Sequence, residues 1–400
     1  MQLSWSDDDE AFRRELIAFL DIHAPIEVSD GFDFERDAAG DNVIAPWLQS
    51  WQAKLFDHGW MVPGFPPHYG GRDATPTQTM IYLEEMAARR MPRATHFPGY
   101  AIVAPSLLAH GNDQQKTMVP AAIRGDTIWC IGMSEPNAGS DLAGLQTRAA
   151  RDGDTFIVNG QKVWTSGAHH ADWCMCFVRT DPEVPKHKGI SVLVIDMQSP
   201  GVEARPFAEL TEPDYTDFNE VFFTDVEVPK AHLLGEVNQG WALTQVSLGH
   251  ERAMLWIELA HDVQRALDAL IAMGARPGPD GRPLREDPRF RAEVARFHVD
   301  AQALWLMGYR GFSKFMRGRA APEHSLLKLF GSETLQQLLL TGAEFLGPES
   351  LDTSLLGPRM WREGAWITSF MRSFSGTIPG GTSEIQRNII AERVLGLPRT

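Results

Sequence analysis

The segment Thr155-Phe156-Ile157-Val158-Asn159-Gly160-Gln161-Lys162-Val163-Trp164-Thr165-Ser166-Gly167 shows how the middle of the chain folds. Apolar and polar residues alternate on both sides of Asn159-Gly160, and this dipeptide favours a tight hairpin because both of its residues accept a positive φ. The segment therefore predicts two antiparallel strands joined at Asn159-Gly160. A Trp followed by hydroxyl residues is typical of a core Trp at a strand end, and it also suits a surface that stacks on a flat ligand.

The same period of two continues on the C-terminal side of this segment. Further strands are expected at residues 173–179, 190–196, 202–206 and 220–228. Short strands at regular spacing predict a β sandwich or barrel, which we place at residues 128–236. Helical periodicity precedes it in residues 1–127 and follows it in residues 237–400, where long helices indicate a bundle. The expected fold class is mainly α with a central β domain.

Composition narrows the classes of function. The 400 residues carry 37 Lys+Arg and 52 Asp+Glu, a formal net charge of −15, and only 3 Cys. This charge disfavours nucleic acid and anionic lipid as partners. The few cysteines favour a reducing cytoplasm, and we expect neither a secretory signal nor a membrane span, which needs about 20 apolar residues.

Three segments are candidates for binding or catalysis. Residues 133–141, Met-Ser-Glu-Pro-Asn-Ala-Gly-Ser-Asp, would let backbone amides approach a ligand, although a solvated turn has the same composition. Residues 380–387, Gly-Gly-Thr-Ser-Glu-Ile-Gln-Arg, lead into a helix whose N-terminus favours an anion; Ser383 and Gln386 have capping-box spacing. Glu251, in His250-Glu251-Arg252, is either a solvated or paired carboxylate or a base with a pKa raised by burial.

Together with His68-Tyr69-Gly70-Gly71 and Gly111-Asn112-Asp113-Gln114-Gln115-Lys116, these segments resemble the acyl-CoA dehydrogenase family along nearly the whole chain. The resemblance implies an N-terminal helical domain, a middle β domain and a C-terminal four-helix bundle. It also implies FAD as cofactor, an acyl-CoA thioester as substrate and an electron-transfer flavoprotein as electron acceptor. Fatty acid, sterol or branched acyl catabolism by β-oxidation is the expected context.

The resemblance assigns roles to individual residues. Ile131, Met133 and Ser134 would line the edge of the isoalloxazine ring, and Ser140 would lie by the cofactor and the CoA chain. The flavin would be packed and hydrogen-bonded by the residues of the strand end, Trp164, Thr165 and Ser166. Thr382 and Glu384 would meet the FAD of an adjoining subunit.

The catalytic base is the most informative position. Many family members carry a Glu immediately before the C-terminal Gly-Thr, where this chain has Gly380. Members that resemble isovaleryl-, long-chain- and steroid side-chain-CoA dehydrogenases carry it on the long helix before an Arg, as in Glu251-Arg252. The resemblance thus implies that Glu251 removes the α proton, that the Gly380 amide polarises the thioester carbonyl, and that Arg252 orients the base or contacts CoA; a structural ion pair is the alternative for Arg252.

Two departures from the family pattern concern subunit contacts. The usual Arg-Phe-Gly after the long helix is absent, with Arg276 and Arg282 nearby, and Glu344 replaces a Gln. A homo-oligomer, dimer or tetramer, is the expected default, and a heteromer is its alternative.

Two other functions stay open at this point: a flavin monooxygenase or nitroalkane oxidase on the same fold, and a non-catalytic partner subunit of a heteromeric dehydrogenase. His169-His170 and Cys174/Cys176 lack further ligands at metal-binding spacing, so we expect no metal site.

Overall fold

The computed structural model describes residues 5–25, 45–209, 216–243, 256–317, 323–351 and 366–398. Their contacts divide the chain into two compact units. The first unit combines residues 5–25 and 76–91 with the described residues from 256 onward. The second unit combines residues 45–75 with residues 92–209 and 216–243. Each unit thus draws on segments that are distant in sequence, and the boundaries of the three expected domains stay a prediction.

The α-helices of the described residues are numbered in chain order. They are α1 Asp7–His23, α2 Pro46–Asp57, α3 Pro76–Ala88, α4 Ala104–His110, α5 Asp113–Lys116, α6 Val119–Arg124, α7 Trp256–Met273, α8 Pro288–Phe315, α9 Glu323–Leu346, α10 Trp366–Thr377 and α11 Ser383–Ile389. π-helical turns at Gly99–Val103 and Ile390–Val394 adjoin α4 and α11.

The first unit is a helical bundle in which α9 packs against α7, α8 and α10, and α3 packs against α1 and α7. The apolar stripe of α7 is buried as its sequence predicts, and the helix ends at Met273, before Gly274. Helix α1 begins at a capping box formed by Ser6 and Asp9, which satisfies amides that a helix start leaves unpaired. The apolar stripe of α1 is also buried, at Phe12, Leu16, Phe19 and Leu20.

A half-buried carboxylate joins two helices of this bundle. The hydroxyl of Tyr309 in α8 donates to Glu84 Oε1 in α3 at 2.8 Å. Burial raises the pKa of Glu84, and the hydrogen bond from Tyr309 opposes that rise. Burial also raises the pKa of Tyr309, followed by the effect of the neighbouring Glu84 carboxylate. The pair therefore holds a proton-bearing hydroxyl against a carboxylate inside the helical unit.

The second unit surrounds an eight-stranded sheet with short helices. The strands are β1 Trp129–Gly132, β2 Arg148–Asp152, β3 Thr155–Lys162, β4 Trp173–Arg179, β5 Ile190–Asp196, β6 Val202–Pro206, β7 Asn219–Pro229 and β8 Leu233–Leu234. Their order is β6-β7-β3-β2-β4-β5-β8, with β1 paired to β4. Most pairings are antiparallel, but β1–β4 and β2–β4 are parallel. The predicted fold class, mainly α with a central β domain, is confirmed.

The predicted hairpin at Asn159-Gly160 is wrong. Residues 155–162 form one continuous strand, and the hairpin connects β2 to β3 through Gly153-Asp154. The register between β3 and β7 shifts between Val158 and Gly160, which marks a β-bulge. Asn159 Nδ2 donates to Asp225 Oδ1, and Asn159 Oδ1 accepts from the Asp225 N–H, both at 2.9 Å. The dipeptide therefore serves a bulge, because Asn and Gly suit irregular backbone there as well as in a turn.

The three cysteines of the chain lie in the core of this sheet. Cys130 of β1 pairs in register with Cys174 of β4, and Cys176 lies two residues further along β4. All three thiols are free and fully buried. Burial raises the pKa of Cys176, and the hydrogen bond with Cys130 is the largest cause that raises the pKa of Cys174. The cysteines thus act as small apolar core residues.

Candidate active site

The ends of strands β1 and β3 lie side by side. The N–H of Val163 donates to the carbonyl oxygen of Ser134 at 2.9 Å. Lys162 Nζ donates to the carbonyl oxygen of Met133 at 3.1 Å. The structure therefore brings together the two segments that the sequence singles out, residues 131–134 and residues 164–166.

Trp164 stands at the start of the second segment in a strained conformation. Its φ is 60°, in the left-handed region that a bulky side chain rarely adopts. The indole is 60% exposed, and its edges meet Phe207 and Phe218 at centroid distances of 5.1 and 5.6 Å. A strained, uncovered aromatic surface of this kind is typical of a functional site.

The residues after Trp164 are held by the start of β7. The Thr165 N–H donates to the carbonyl oxygen of Asn219 at 3.1 Å, and Asn219 Nδ2 donates back to the Thr165 carbonyl oxygen at the same distance. The Gly167 N–H donates to the carbonyl oxygen of Asp217 at 2.8 Å. Thr165 Oγ1 is buried, with no hydrogen-bond partner among the described residues. This loop thus offers one hydroxyl that the protein leaves unpaired.

Three histidines adjoin the loop, and we call His96, His169 and His170 the histidine cluster. The rings of His169 and His170 lie 3.9 Å apart, and a Cβ on Gly167 would lie 2.3 Å from His96 Nε2. Burial lowers the pKa of all three, and the nearby carboxylate of Asp217 opposes that effect. The cluster is therefore kept neutral beside the loop.

A buried ion pair lies behind the two segments. Lys162 Nζ donates to Glu135 Oε1 at 2.8 Å, and the side chains are 0% and 8% exposed. The amides of Gln146 and Thr147 also donate to Glu135, at 2.6 and 2.8 Å. Burial by itself raises the pKa of Glu135, but the charge and hydrogen bonds that it receives outweigh burial, so its pKa lies below its ordinary value. Glu135 is therefore a carboxylate committed to structure.

Ser140 is exposed, and residues close to it in the sequence line two concavities. They share Gly144 and Gln146, and their volumes are about 370 and 360 Å³. Arg148 and Lys186 line the second. Lys186 Nζ lies 2.8 Å from Asp141, whereas Arg148 forms no ion pair within the described ranges. The second concavity therefore presents positive charge in an acidic protein.

The C-terminal segment belongs to the helical unit. Gly380 is exposed at a φ of 68°, and its carbonyl oxygen accepts from Gln386 Nε2 at 3.1 Å. Thr382, rather than the expected Ser383, caps α11, since its hydroxyl accepts from the Ile385 N–H at 3.3 Å. Glu384 is exposed in the first turn, where its own backbone amide and the Thr382 hydroxyl lower its pKa.

Comparison with known proteins identifies this arrangement. Family models for the N-terminal, middle and C-terminal domains of acyl-CoA dehydrogenase match residues 6–126, 130–226 and 238–395. The chain belongs to the acyl-CoA dehydrogenase family. This family consists of FAD-binding flavoproteins, oxidoreductases that act on acyl-CoA in fatty acid and steroid catabolism.

Comparisons with individual proteins also point to acyl-CoA dehydrogenases. The chain is 37% identical over 369 residues to the acyl-CoA dehydrogenase FadE34 of Mycobacterium tuberculosis, a match that covers 91% of this chain and 48% of FadE34. It therefore spans about half the length of that relative. The ChsE4-ChsE5 complex of the same organism is similar at 31% identity and a TM-score of 0.83, with all of both chains covered. The Tcur3481-Tcur3483 steroid ACAD has 28% identity and a TM-score of 0.82, also over all of both chains.

Two residues that the family resemblance singles out lie outside the described residues. These are Glu251 and Arg252, which precede the start of α7 at Trp256. Their roles as base and as base-orienting or CoA-binding residue stay predictions. The roles of the other site residues are also predictions, although the structure places Ile131, Met133 and Ser134 next to the Trp164 segment.

The charged residues at the two positions that depart from the family pattern form ion pairs with other residues of this chain. Arg276 pairs with Glu349, and Arg282 pairs with Asp280. Glu344 accepts from Arg289 at 3.3 Å. These charges therefore neutralise one another on the surface of the helical unit.

The described residues contain no group of three or more His, Cys, Asp or Glu side chains arranged to hold a metal ion. Within the same ranges, the helices are too short or too polar to cross a bilayer. His169 lies 3.1 Å from Asn219 Oδ1, and Cys174 and Cys176 lie in the sheet core.

Several features of this site were not predicted from the sequence. No role was assigned to Lys162, to Glu135 or to Asn219, and His169-His170 were not connected with His96. A Lys within an otherwise alternating strand was the one local signal for the buried pair. The other contacts join residues that are far apart in the chain.

Proposed function

We propose that the chain is an FAD-dependent acyl-CoA dehydrogenase that converts an acyl-CoA thioester to its trans-2-enoyl-CoA and passes the electrons to an electron-transfer flavoprotein. The observation that carries the proposal is the junction of residues 131–134 with the Trp164 loop through the hydrogen bond from Val163 to Ser134. This junction presents an exposed indole beside a buried, unpaired hydroxyl on Thr165. An aromatic face and an unsatisfied polar atom fit a flat heteroaromatic cofactor.

Within this proposal, FAD is held by Ile131, Met133, Ser134, Trp164, Thr165 and Ser166, with Thr382 and Glu384 meeting the FAD of an adjoining subunit. The flavin supplies the acceptor for the hydrogen that leaves the β carbon. The protein supplies position and electrostatics.

The chain's own catalytic groups are Glu251 and the Gly380 amide. Glu251 removes the α proton, because the position before the C-terminal Gly-Thr carries no carboxylate. An α C–H is a weak acid unless charge on the thioester oxygen is stabilised by a donor. The Gly380 N–H donates to no group within the described residues, which suits that role. Arg252 orients the base or contacts CoA.

We further propose that the phosphates of CoA lie along the second concavity, which Arg148 lines. Arg148, which forms no ion pair within the described ranges, gives this concavity positive charge against a net charge of −15 for the whole chain. Reversing the Arg148 charge with Arg148→Glu should raise KM for an acyl-CoA. It should leave KM for an acyl-pantetheine, which lacks the nucleotide, unchanged; equal effects on both thioesters would contradict this placement.

For the substrate, we propose a branched or ring-bearing acyl group. Two observations support it: the candidate carboxylate Glu251, which precedes α7 in the sequence, and the similarity to a protein described as a steroid ACAD. The ion pairs Arg276–Glu349 and Arg289–Glu344 favour a second form of assembly, a heteromer. In that form a diverged partner supplies the contacts to the FAD pyrophosphate. The ChsE4-ChsE5 relative is itself a complex of two proteins.

The decisive experiment is anaerobic titration of the purified, flavin-loaded protein with a panel of acyl-CoAs. Bleaching of the flavin band without oxygen is expected. Flavin that reacts only with oxygen and a non-CoA substrate would instead favour the monooxygenase or nitroalkane oxidase, and protein that binds no flavin in any assembly would favour the non-catalytic subunit. The measured mass of the flavin-bound assembly distinguishes a homo-oligomer from a heteromer.

Glu251→Gln tests the base. We expect FAD to stay bound while the bleaching rate falls by about 10²-fold or more, the usual contribution of a general base. Glu258→Gln, a carboxylate seven residues further along the chain in α7, is the matched control and should bleach at the wild-type rate. A Glu251→Gln protein that bleaches normally would rule out this base.

A further inference from the structure

The Lys162–Glu135 pair is placed where it does more than fill the core. The Lys162 side chain is fully buried, and its stem crosses Gly132 of β1, where an added Cβ would lie 3.2 Å from Lys162 Cγ. The same Cβ would lie 3.1 Å from Cys176 Sγ, so the lysine runs through a tightly packed core. A buried ion pair is weak evidence for stability, because apolar residues of similar size often serve equally well. Stability alone therefore does not explain why this ion pair is buried at this place in the sheet.

The hydrogen bonds of the pair converge on three chain segments. Lys162 Nζ reaches the carbonyl oxygen of Met133 at 3.1 Å as well as Glu135. The neighbouring residue Val163 holds the carbonyl oxygen of Ser134 at 2.9 Å. Glu135 in turn accepts from the amides of residues 146 and 147. Lys162 and Val163, at the end of β3, thus hydrogen-bond to Met133 and Ser134, which follow β1. The Glu135 carboxylate connects both segments to the residues that precede β2.

The residue with the strained backbone comes next in the chain. Trp164, next to Val163, has a φ of 60°, and the far side of its loop is fixed by the bond from Thr165 to Asn219. A strained backbone persists only where its surroundings hold it on both sides. On one side that restraint is the Asn219 bond, and on the other it is the Lys162–Glu135 pair with the adjoining Val163 bond.

We propose that Lys162 and Glu135 are positioning residues that hold Trp164 and the Met133-Ser134 backbone at the spacing at which the flavin binds. This inference rests on the proposed function, since it assumes that the two segments bind FAD. The Lys162 side chain is fully buried, and that of Glu135 is 8% exposed. The pair acts through the main chain, so its loss should weaken FAD binding more than it lowers the free energy of unfolding.

The test removes both charges together with Lys162→Met/Glu135→Gln, in which the single amide oxygen can accept from only one of the two amides of residues 146 and 147. The holoenzyme is used, with its partner subunit if it is a heteromer. We expect a modest fall in the urea midpoint, no larger than that of the control variant below, and a dissociation constant for FAD raised roughly tenfold or more, the usual effect of losing a charge-assisted hydrogen bond. The fine structure of the flavin band should blur, and kcat should fall with little change in KM.

Ser191→Ala is the matched control. Ser191 is fully buried in β5 and accepts from the Asn238 N–H at 2.8 Å, and none of its hydrogen bonds involves residues 133–135 or 162–166. It should lower the urea midpoint and leave the FAD dissociation constant unchanged.

A folded double variant with wild-type FAD affinity and flavin spectrum would overturn the inference. If that variant does not fold, Lys162→Gln alone is measured in the same way: weakened FAD binding supports the inference, and unchanged binding overturns it. A wild type that binds FAD but is not bleached by acyl-CoA refutes the proposed dehydrogenation and leaves the FAD comparison valid.

Discussion

Replacing Gly167 by Ala should destabilise the loop that follows Trp164. Gly167 has a φ of 62°, and a left-handed backbone costs a residue with a Cβ about 1–2 kcal/mol. The added Cβ would lie 2.3 Å from His96 Nε2 and 2.8 Å from its Cδ2, so the buried ring must move. Overpacking of this kind costs about 1–3 kcal/mol. The free energy of unfolding should therefore fall by roughly 2–5 kcal/mol in total.

Urea denaturation followed by Trp fluorescence measures this change, and two further variants separate its parts. Gly153 also has a positive φ, 58°, but nothing lies within 4 Å of its Cβ position. Gly153→Ala should therefore show the backbone cost alone, about 1–2 kcal/mol. Adding His96→Ala to Gly167→Ala removes the clash, so a double-mutant cycle should give a coupling of about 1–3 kcal/mol.

Equal losses for Gly167→Ala and Gly153→Ala would refute the steric part of this reasoning. A cycle with no coupling between positions 96 and 167 would do the same, because the close approach of the ring is the only reason to expect it.

Three further predictions concern the same two units. Because burial lowers the pKa of the histidine cluster, the unfolded state binds more protons than the folded state below about pH 6.5. The contribution of the cluster to stability should therefore be complete above that pH and decline on acidification, with a smaller share from the partly exposed His169 and His170, and urea midpoints that do not fall below pH 6.5 would contradict this. Tyr309→Phe leaves Glu84 half-buried without this donor and should cost about 1–3 kcal/mol by the same denaturation assay, whereas an unchanged midpoint would mean that water replaces the hydroxyl. Asn112→Ala removes the cap of α5 and the bond to Ala231, and should lower thermal stability by about 0.5–2 kcal/mol; no change would show that the cap is dispensable.

Local rules predicted much of the fold from the sequence. The apolar stripe of α1 and the end of α7 before Gly274 follow from the 3.6-residue period and from the weak helix propensity of Gly. The strands at residues 173–179, 190–196 and 202–206 have the bounds that alternation indicates. These features depend on neighbours within a few positions, which a sequence displays directly.

The sequence-based predictions were wrong where the structure of a segment depends on residues far away in the sequence. Asn159-Gly160 suits a turn and a bulge equally, and the outcome was set by Asp225, 66 residues away. The parallel pairing of β1 with β4 has no local signal either, because it depends on a connection that crosses the sheet.

The candidate site divides in the same way. Its two segments were visible as motifs, and the structure adds that Val163 joins them to each other. The buried ion pair was not predicted, since Glu135, the partner of Lys162, lies 27 residues earlier in the sequence. The histidine cluster was invisible because His96 is more than one element away from the other two histidines.

The burial of all three cysteines makes the native protein inert to thiol reagents. A chromogenic thiol reagent should give no colour with the native protein and should react with three thiols per chain after denaturation. Its reaction would therefore report on opening of the sheet core, where Cys130, Cys174 and Cys176 lie. Because no native thiol competes, a single surface cysteine introduced by mutagenesis can carry a fluorophore at one chosen place. The chain is therefore ready for distance measurements between its two units without first removing any of its own cysteines.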